Sequence, residues 1–523
     1  MSIDWMGNRS LNHLLAERVE LGPDKTFLVY EDRAGETTEL TYGEFEARVE
    51  DAARGLHALG VGSGNHVVVH LRNSPEFLVS WFAISRLAAI MVPSNIANTA
   101  SELEHVISFT EATHAITEPD FCEVVGQGIA AAGGETTTII ARGRLQGFFA
   151  FDDLAGLSDE PPPHPTVSGD DVAELLFTSG TTSKPKAVML THANCLRAGL
   201  DTVHCLWLDA GERMLTALPL FHVNGQGMTI LGAMTVGGTA IVIEEFSASR
   251  FWGQVRRHKA TQTAIVAMQL RTLIAQPPDP EDRDHDLRKV FYAINVSDQE
   301  KQTFEERYGV DLINGYGQSE TMTLLTVSPV AAPRRWPSIG LPAPGRTLLL
   351  LDEEGKEVET GEVGEIVVRC IPGRTVMRGY YKDEMSTSQT IRGDLLHTGD
   401  NAYADAEGYL YFFDRKKDMI KRAGENVSAI EVESVLVDHP GIEEAAIVGV
   451  TDPIRDEAVA AVVVLAAGAE LSGEDVTAYC AERLSRFKVP TVVAFETELP
   501  KTSIGKVRKD ELRKKLEGSA VGD

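Results

Sequence analysis

Between residues 26 and 300 short β-branched runs alternate with longer amphipathic ones, and this alternation restricts the fold more than any other feature. HVVVHL, AIMVPSN, THAITEP, TTIIAR, AELLFTS, TAIVIEEF and TAIVAM have the length and residue types of strands. EFEARVEDAARGLHALG, ASELEHVISFT and SASRFWGQVRRHK carry apolar residues at helical spacing. Strands separated by helices pair in parallel, because each returning helix covers a face of the sheet. The expectation is an α/β protein with doubly wound sheets.

At 523 residues the chain is too long for one hydrophobic core, so several domains are expected. The stretch FDDLAGLSDEPPPHPTVSGDD clusters proline and acid and reads as a surface connection. From about residue 345 to 413, RTLLLLDEEGKEV, GEVGEIVVRC and GYLYFFD imply a small β-rich subdomain of short strands. After DRKKDMIKRAGENVS comes a compact α+β pattern. These shifts predict an amino-terminal domain at 1–413, with subdomains at about 1–170, 171–344 and 345–413, a junction at 414–418, and a small α+β domain at 419–523.

Charge narrows the function. With 49 lysines and arginines against 77 acids, the net charge is -28. Such a surface repels nucleic acid and anionic membrane, so any polyanionic ligand must meet locally concentrated lysine and arginine. The five cysteines show no CxxC spacing, which fits a reducing compartment without structural zinc. The first twenty residues lack the basic-then-apolar pattern of a signal peptide. The most apolar segment, PEFLVSWFAISRLAAIMVP, carries Arg86 and is bounded by prolines, with Ser74 and Pro75 as cap and first position. It reads as a buried helix, not a membrane span. A cytoplasmic protein is expected.

The stretch LLFTSGTTSKPKAVMLTHAN packs glycine, hydroxyl residues and two lysines between apolar runs. The commonest phosphate loop ends in Gly-Lys-Ser/Thr and opens into a helix. Here Gly180 leads through Lys184, Pro185 and Lys186 into AVML, so the loop joins strand to strand. Its hydroxyls, backbone N–H groups and lysine still suit a phosphate, although a polar hairpin turn explains the stretch equally well. Four further motifs follow in order: NGYGQSE at 314–320, HTGD at 397–400, DRKKDMIKRAGENVS from Asp414, and PKTSIGKVRKDEL at 500–512.

Together these motifs resemble the adenylate-forming superfamily of acyl-CoA synthetases, peptide-synthetase adenylation domains and luciferases. FWGQV, RTLIAQPP, RRWPSIG and IRDEA look most like crotonobetaine/carnitine-CoA ligases. The resemblance implies ATP-dependent activation of a small acid as its AMP derivative, with pyrophosphate released and CoA as the acceptor. It implies ATP and Mg²⁺ as cofactors, and phosphates cradled by Thr178, Ser179, Gly180, Thr181, Thr182 and Lys186, with Thr181 among the catalytic groups. Glu320 would hold the Mg²⁺. The backbone from Asn314 to Gly317 would line adenine, Tyr316 stacking on it, with Gly315 and Ser319 completing the nucleotide site. Asp400 and Arg415 would meet the ribose, and catalytic Lys506 would bridge the acid and the α-phosphate. His222, Gly225 and Met228 would border the acid pocket. Lys417 is the implied hinge, about which a mobile carboxy-terminal domain rotates between the two half-reactions.

Each role has a plainer alternative: a turn aspartate, a core aromatic or histidine, a solvated lysine. The sequence also departs from the family pattern. Ala187 and Ala423 replace usual glycines, and Asn295 and Ser297 occupy the adenine-side loop where smaller residues are usual. A basic site for the CoA phosphate is not obvious, Arg455 and Lys488 being the candidates. Amide formation, carrier-protein loading and nitrite activation for diazotising an aryl amine are the competing acceptor chemistries. Oligomeric state stays open, a homodimer being common among similar ligases.

Overall fold

A computed structural model describes residues 6–178, 185–293, 296–322, 324–415, 418, 420–422, 425–452, 456–484, 486–501 and 507–519. The chain forms two compact units, one drawn from residues 1–179, 185–347 and 369–396, the other from 348–368 and 397–523.

The first unit holds two large sheets. In the eight-stranded sheet, His66–His70, Ile90–Pro93, His114–Thr117 and Thr137–Ile140 run in parallel, as their β-branched composition and intervening helices require. Val172–Thr178 joins this sheet in parallel beside Ile90–Pro93 and then turns back, pairing antiparallel with Lys186–Thr191. The nine-stranded sheet has a parallel centre of Arg213–Thr216, Thr239–Ile243, Gln262–Val266, Lys289–Ala293 and Asp311–Gly317. Thr26–Glu31 lies parallel to Thr239–Ile243 in that same sheet. The two sheets therefore interleave along the chain, residues 26–41 and 213–342 building one while 66–191 build most of the other.

Helix Pro75–Arg86 is buried at every residue but Glu76, as its largely apolar composition predicts. Ser74 Oγ accepts from the Phe77 N–H at 3.2 Å, with Pro75 at the first helical position. Arg86, the charge that argued against a membrane span, meets Glu46 at 2.8 Å and Glu50 at 2.7 Å. Among the described residues no helix is long and apolar enough to cross a membrane.

The second unit contains the short strands Gly364–Arg369, Leu395–Ala404 and Leu410–Arg415, then an α+β assembly. In the latter, the long hairpin Ile442–Asp452 with Asp456–Leu465 gains a parallel neighbour, Val492–Glu496. Helices Ala429–Val437 and Gly473–Ala481 close one face around Val432, Leu436, Val459, Val463 and Val476.

Candidate active site

The loop around Gly180 joins two antiparallel strands, as the sequence predicts. Thr178 and Lys186 are Cα partners where the hairpin opens, and Thr178 Oγ1 donates to the Lys186 carbonyl at 3.4 Å. Ser179, Gly180, Thr181 and Thr182 lie outside the described residues. Ala187 is fully buried in the cluster with Val68, Leu175 and Val92. Its methyl group therefore serves the core, which accounts for alanine at a position where glycine is usual.

Backbone pairing brings two more segments to this hairpin. Gly379–Tyr380 adds beside Lys186–Thr191, with Tyr380 opposite Val188, and the Tyr381 N–H donates to the Ala187 carbonyl at 2.8 Å. The Met377 N–H donates to the Glu320 carbonyl at 2.7 Å. As a result Lys186, Tyr380 and Glu320 form one cluster. The Tyr380 hydroxyl donates to Glu320 Oε1 at 2.8 Å, and Lys186 Nζ stands 4.9 Å from the centre of the Tyr380 ring. The phenol ties a carboxylate at its hydroxyl to a cation over its face. Burial and the adjacent Glu320 charge both raise the Tyr380 pKa, so the phenol keeps its proton and remains a donor.

Glu320 lies in the single turn Ser319–Thr321 that follows strand Asp311–Gly317. The turn is stitched by the Gln318 N–H donating to Thr321 Oγ1 at 3.2 Å. In the strand, buried Asn314 donates from Nδ2 to the Ser338 carbonyl at 2.9 Å. Gly315 has no space for a side chain, since an added Cβ would lie 2.8 Å from the Phe291 ring and 2.8 Å from the Thr326 carbonyl. Tyr316 is half-buried and Gly317 exposed at the strand's end. Ser297 caps helix Asp298–Tyr308, accepting from the Glu300 N–H at 3.2 Å. The serine is thereby accounted for as a helix cap. Asn295 lies outside the described residues.

On the acid side, His222 is half-buried, its ring centre 4.7 Å from that of Phe221. Of the run 224–238, expected to be helical, residues 224–236 are so, and the first part, Asn224–Leu231, is a π-helix. Such wide turns are rare and concentrate at functional sites. Gly225 approaches the Pro219 carbonyl, which an added Cβ would meet at 3.1 Å. Met228 is buried and lines a cavity of about 10 Å³ with Leu206, Met214 and Phe291, room for roughly one water.

In the second unit Asp400 is buried on strand Leu395–Ala404 and is the Cα partner of Arg415 across the antiparallel ladder. The two residues expected at the ribose are thus brought together. Lys488 pairs with Glu431 at 2.6 Å. Lys417, Ala423, Arg455 and Lys506 lie outside the described residues.

The donor set suits magnesium better than a transition metal. Among the described residues no three His, Cys, Asp or Glu side chains gather as a metal cage. One carboxylate, Glu320, beside a lysine is what Mg²⁺ needs when water and phosphate supply its remaining ligands. A zinc site would need three or four protein ligands. Tyr380 was not foreseen. Its signal in the sequence is RGYYKDE, a paired aromatic between a glycine and charges, which reads equally well as an edge strand.

A hydroxyl-rich hairpin, a carboxylate turn after a glycine–tyrosine strand and a carboxy-terminal α+β assembly agree with an enzyme that handles ATP. The family model for AMP-binding enzymes matches residues 15–381, and that for the AMP-binding enzyme C-terminal domain matches residues 431–506. The chain belongs to the AMP-binding enzyme family, and it is an ATP-dependent, AMP-forming acid–CoA ligase. It is similar to the crotonobetaine/carnitine–CoA ligase of Proteus mirabilis (strain HI4320), with 38% identity over 98% of this chain and 100% of the relative. The protein of the same name from Escherichia coli O157:H7 is 36% identical over the same shares. Among solved structures, the anthranilate CoA ligase AuaEII in complex with anthranoyl-AMP superposes with a TM-score of 0.87, 26% identity and 98% coverage of both chains. The o-succinylbenzoate CoA synthetase MenE of Bacillus subtilis, in complex with ATP and magnesium ion, gives 0.82, 27% identity and coverage of 95% of this chain and 98% of that one. The relatives named for CoA favour a thioester over the other acceptor chemistries.

Proposed function

We propose that the acid is small and carries a second polar or charged group, as carnitine and crotonobetaine do, and that the enzyme works in the cytoplasm. The names of the full-length relatives support this substrate class. In the first half-reaction a carboxylate oxygen attacks the α-phosphorus of ATP, the bond to the β-phosphate oxygen breaks, and pyrophosphate leaves. In the second, the CoA sulfur attacks the acyl carbon, the acyl–phosphate bond breaks, AMP leaves, and the thiol proton passes to solvent. Both steps depend chiefly on positioning and on neutralising charge.

Lys186 and the hairpin hydroxyls would receive the phosphates. Glu320 would hold magnesium, which when bound draws charge off the phosphate oxygens. Tyr316 would stack on adenine, Asp400 and Arg415 would take the ribose hydroxyls, and Lys506 would reach the developing charge. His222, Gly225 and Met228 would border the acid. Residues 414–418, with Lys417 at their centre, would act as the hinge between residues 1–413 and a lid at 419–523. The single observation that supports this reading is the Lys186–Tyr380–Glu320 cluster, a cation and a carboxylate side by side at the mouth of the hairpin. The test is pyrophosphate release with carnitine, crotonobetaine, benzoate and nitrite, each with and without CoA. Release with carnitine or crotonobetaine, accompanied by the CoA thioester, is expected. Release with nitrite alone among the four, with or without CoA, contradicts the proposal.

A further inference from the structure

One acid of the strand Val172–Thr178 takes no part in the chemistry above. Glu174 is wholly shielded from solvent. Its neighbours on the flanking strands are Met91 and Leu190, its neighbour on helix His192–Leu206 is Cys195, and across from it in the π-helix is Gln226. Gln226 Nε2 donates to Glu174 Oε2 at 3.2 Å. The other two oxygens, Glu174 Oε1 and Gln226 Oε1, are both buried without a partner.

An ionised carboxylate leaves these two acceptors without a donor, at a cost of about 1–3 kcal/mol for each. Turning the Gln226 amide over does not help, because its oxygen would then face a carboxylate oxygen. A single proton on Glu174 Oε1 resolves both. A carboxylic acid and a carboxamide pair head to head, each donating once and accepting once.

We infer that Glu174 is held as the neutral acid and closes an acid–amide pair with Gln226, a positioning residue that fixes the acid-pocket turn against the strand leading to the phosphate hairpin. The role rests on the reading of Asn224–Leu231 as the wall of the acid pocket. The surroundings agree with it. Met91 and Leu190 are apolar, Gln226 is uncharged, and burial raises the facing Cys195 thiol, so that group adds no charge. Burial pushes the Glu174 acid up to about 8, outweighing the Gln226 hydrogen bond, which lowers it. The pair ties Gly225 and Met228, on one side, to Thr178 on the other.

The test is an infrared difference spectrum of the full chain, wild type minus Glu174→Gln, at neutral pH without ligands. Loss of one protonated, hydrogen-bonded carboxyl band is expected; loss of a carboxylate band overturns the inference. Glu174→Gln retains two hydrogen bonds as an amide–amide pair, so amide hydrogen exchange over residues 224–231 should stay near wild type. Glu174→Leu should speed that exchange by about tenfold. Unchanged exchange in Glu174→Leu overturns the positioning role. Where Glu174→Leu does not fold, Gln226→Leu breaks the pair from the other side, and the acid band should move to that of an unpaired carboxyl; a stationary band contradicts the pair. None of these readouts uses a substrate, so their failure leaves the ligase reading standing, and failure of the acid panel leaves the pair standing.

Discussion

The hairpin that carries Lys186 and the π-helix that carries Gly225 belong to one compact unit yet are built in opposite ways. At the hairpin, backbone pairing does the placing. Tyr380 is opposite Val188, the Met377 N–H holds the Glu320 carbonyl, and the charged ends stay half-exposed where a nucleotide can meet them. At the π-helix, burial does the placing, around Met228, Phe291 and one hidden polar pair. The difference teaches that charged groups are presented at strand ends by backbone pairing, whereas the π-helix is held by packing behind it.

The largest effect expected from breaking this contrast is at Glu320. Glu320→Gln removes the charge proposed to hold magnesium, and pyrophosphate release should fall about 10²–10³-fold with thermal unfolding little changed. A change confined to stability would move Glu320 into the structural class. Next comes Gly315→Ala. Its added methyl must displace the Phe291 ring or the Thr326 carbonyl, so urea unfolding should show a loss of about 1–3 kcal/mol. Because Phe291 also lines the cavity at Met228, this variant would disturb both regions at once.

The buried acid gives a pH test of similar size. Glu174 ionises at about 8 when folded against an ordinary 4.5, so the unfolded chain releases its proton first. Its contribution to stability is complete below the lower value, declines as pH rises, and is gone once pH passes the upper one. Within that window wild type should lose about 1.4 kcal/mol per pH unit relative to Glu174→Gln, measured by unfolding at each pH. Parallel curves would remove the buried acid from the account. The smallest effect is at Tyr380. Tyr380→Phe keeps the ring under Lys186 and loses only the hydroxyl on Glu320. Release should fall about tenfold at low magnesium and recover at high magnesium. Equal loss at every magnesium level would mean that the hydroxyl does not act through the metal site.

Much of the backbone around the proposed nucleotide site was legible in the sequence. The hydroxyl-rich stretch was read as a strand-to-strand loop, and Thr178 and Lys186 do face each other across it. Asp400 and Arg415, fifteen residues apart, prove to be cross-strand partners. Tyr380 was missed because its role depends on pairing with Lys186–Thr191, nearly two hundred residues earlier, and local patterns do not report such registers. Glu174 was visible as the one charge in AELLFT, but its partner is set by how the π-helix packs. Ser297 was read only as a departure from the family pattern, and its capping role went unseen because the start of helix Asp298–Tyr308 was not marked. Residues 26–41 join the sheet of residues 213–342, a long-range pairing that no composition shift marks.

The central claim is that the Lys186–Tyr380–Glu320 cluster serves acid adenylation that ends in a CoA thioester. Mass spectrometry of a reaction holding ATP, magnesium, CoA and carnitine or crotonobetaine tests it most directly, with Glu320→Gln alongside. The account predicts AMP and the acyl-CoA thioester in equal amounts from wild type and neither above background from the variant. Thioester formed as readily by Glu320→Gln, or AMP formed only with nitrite and an amine, would contradict it.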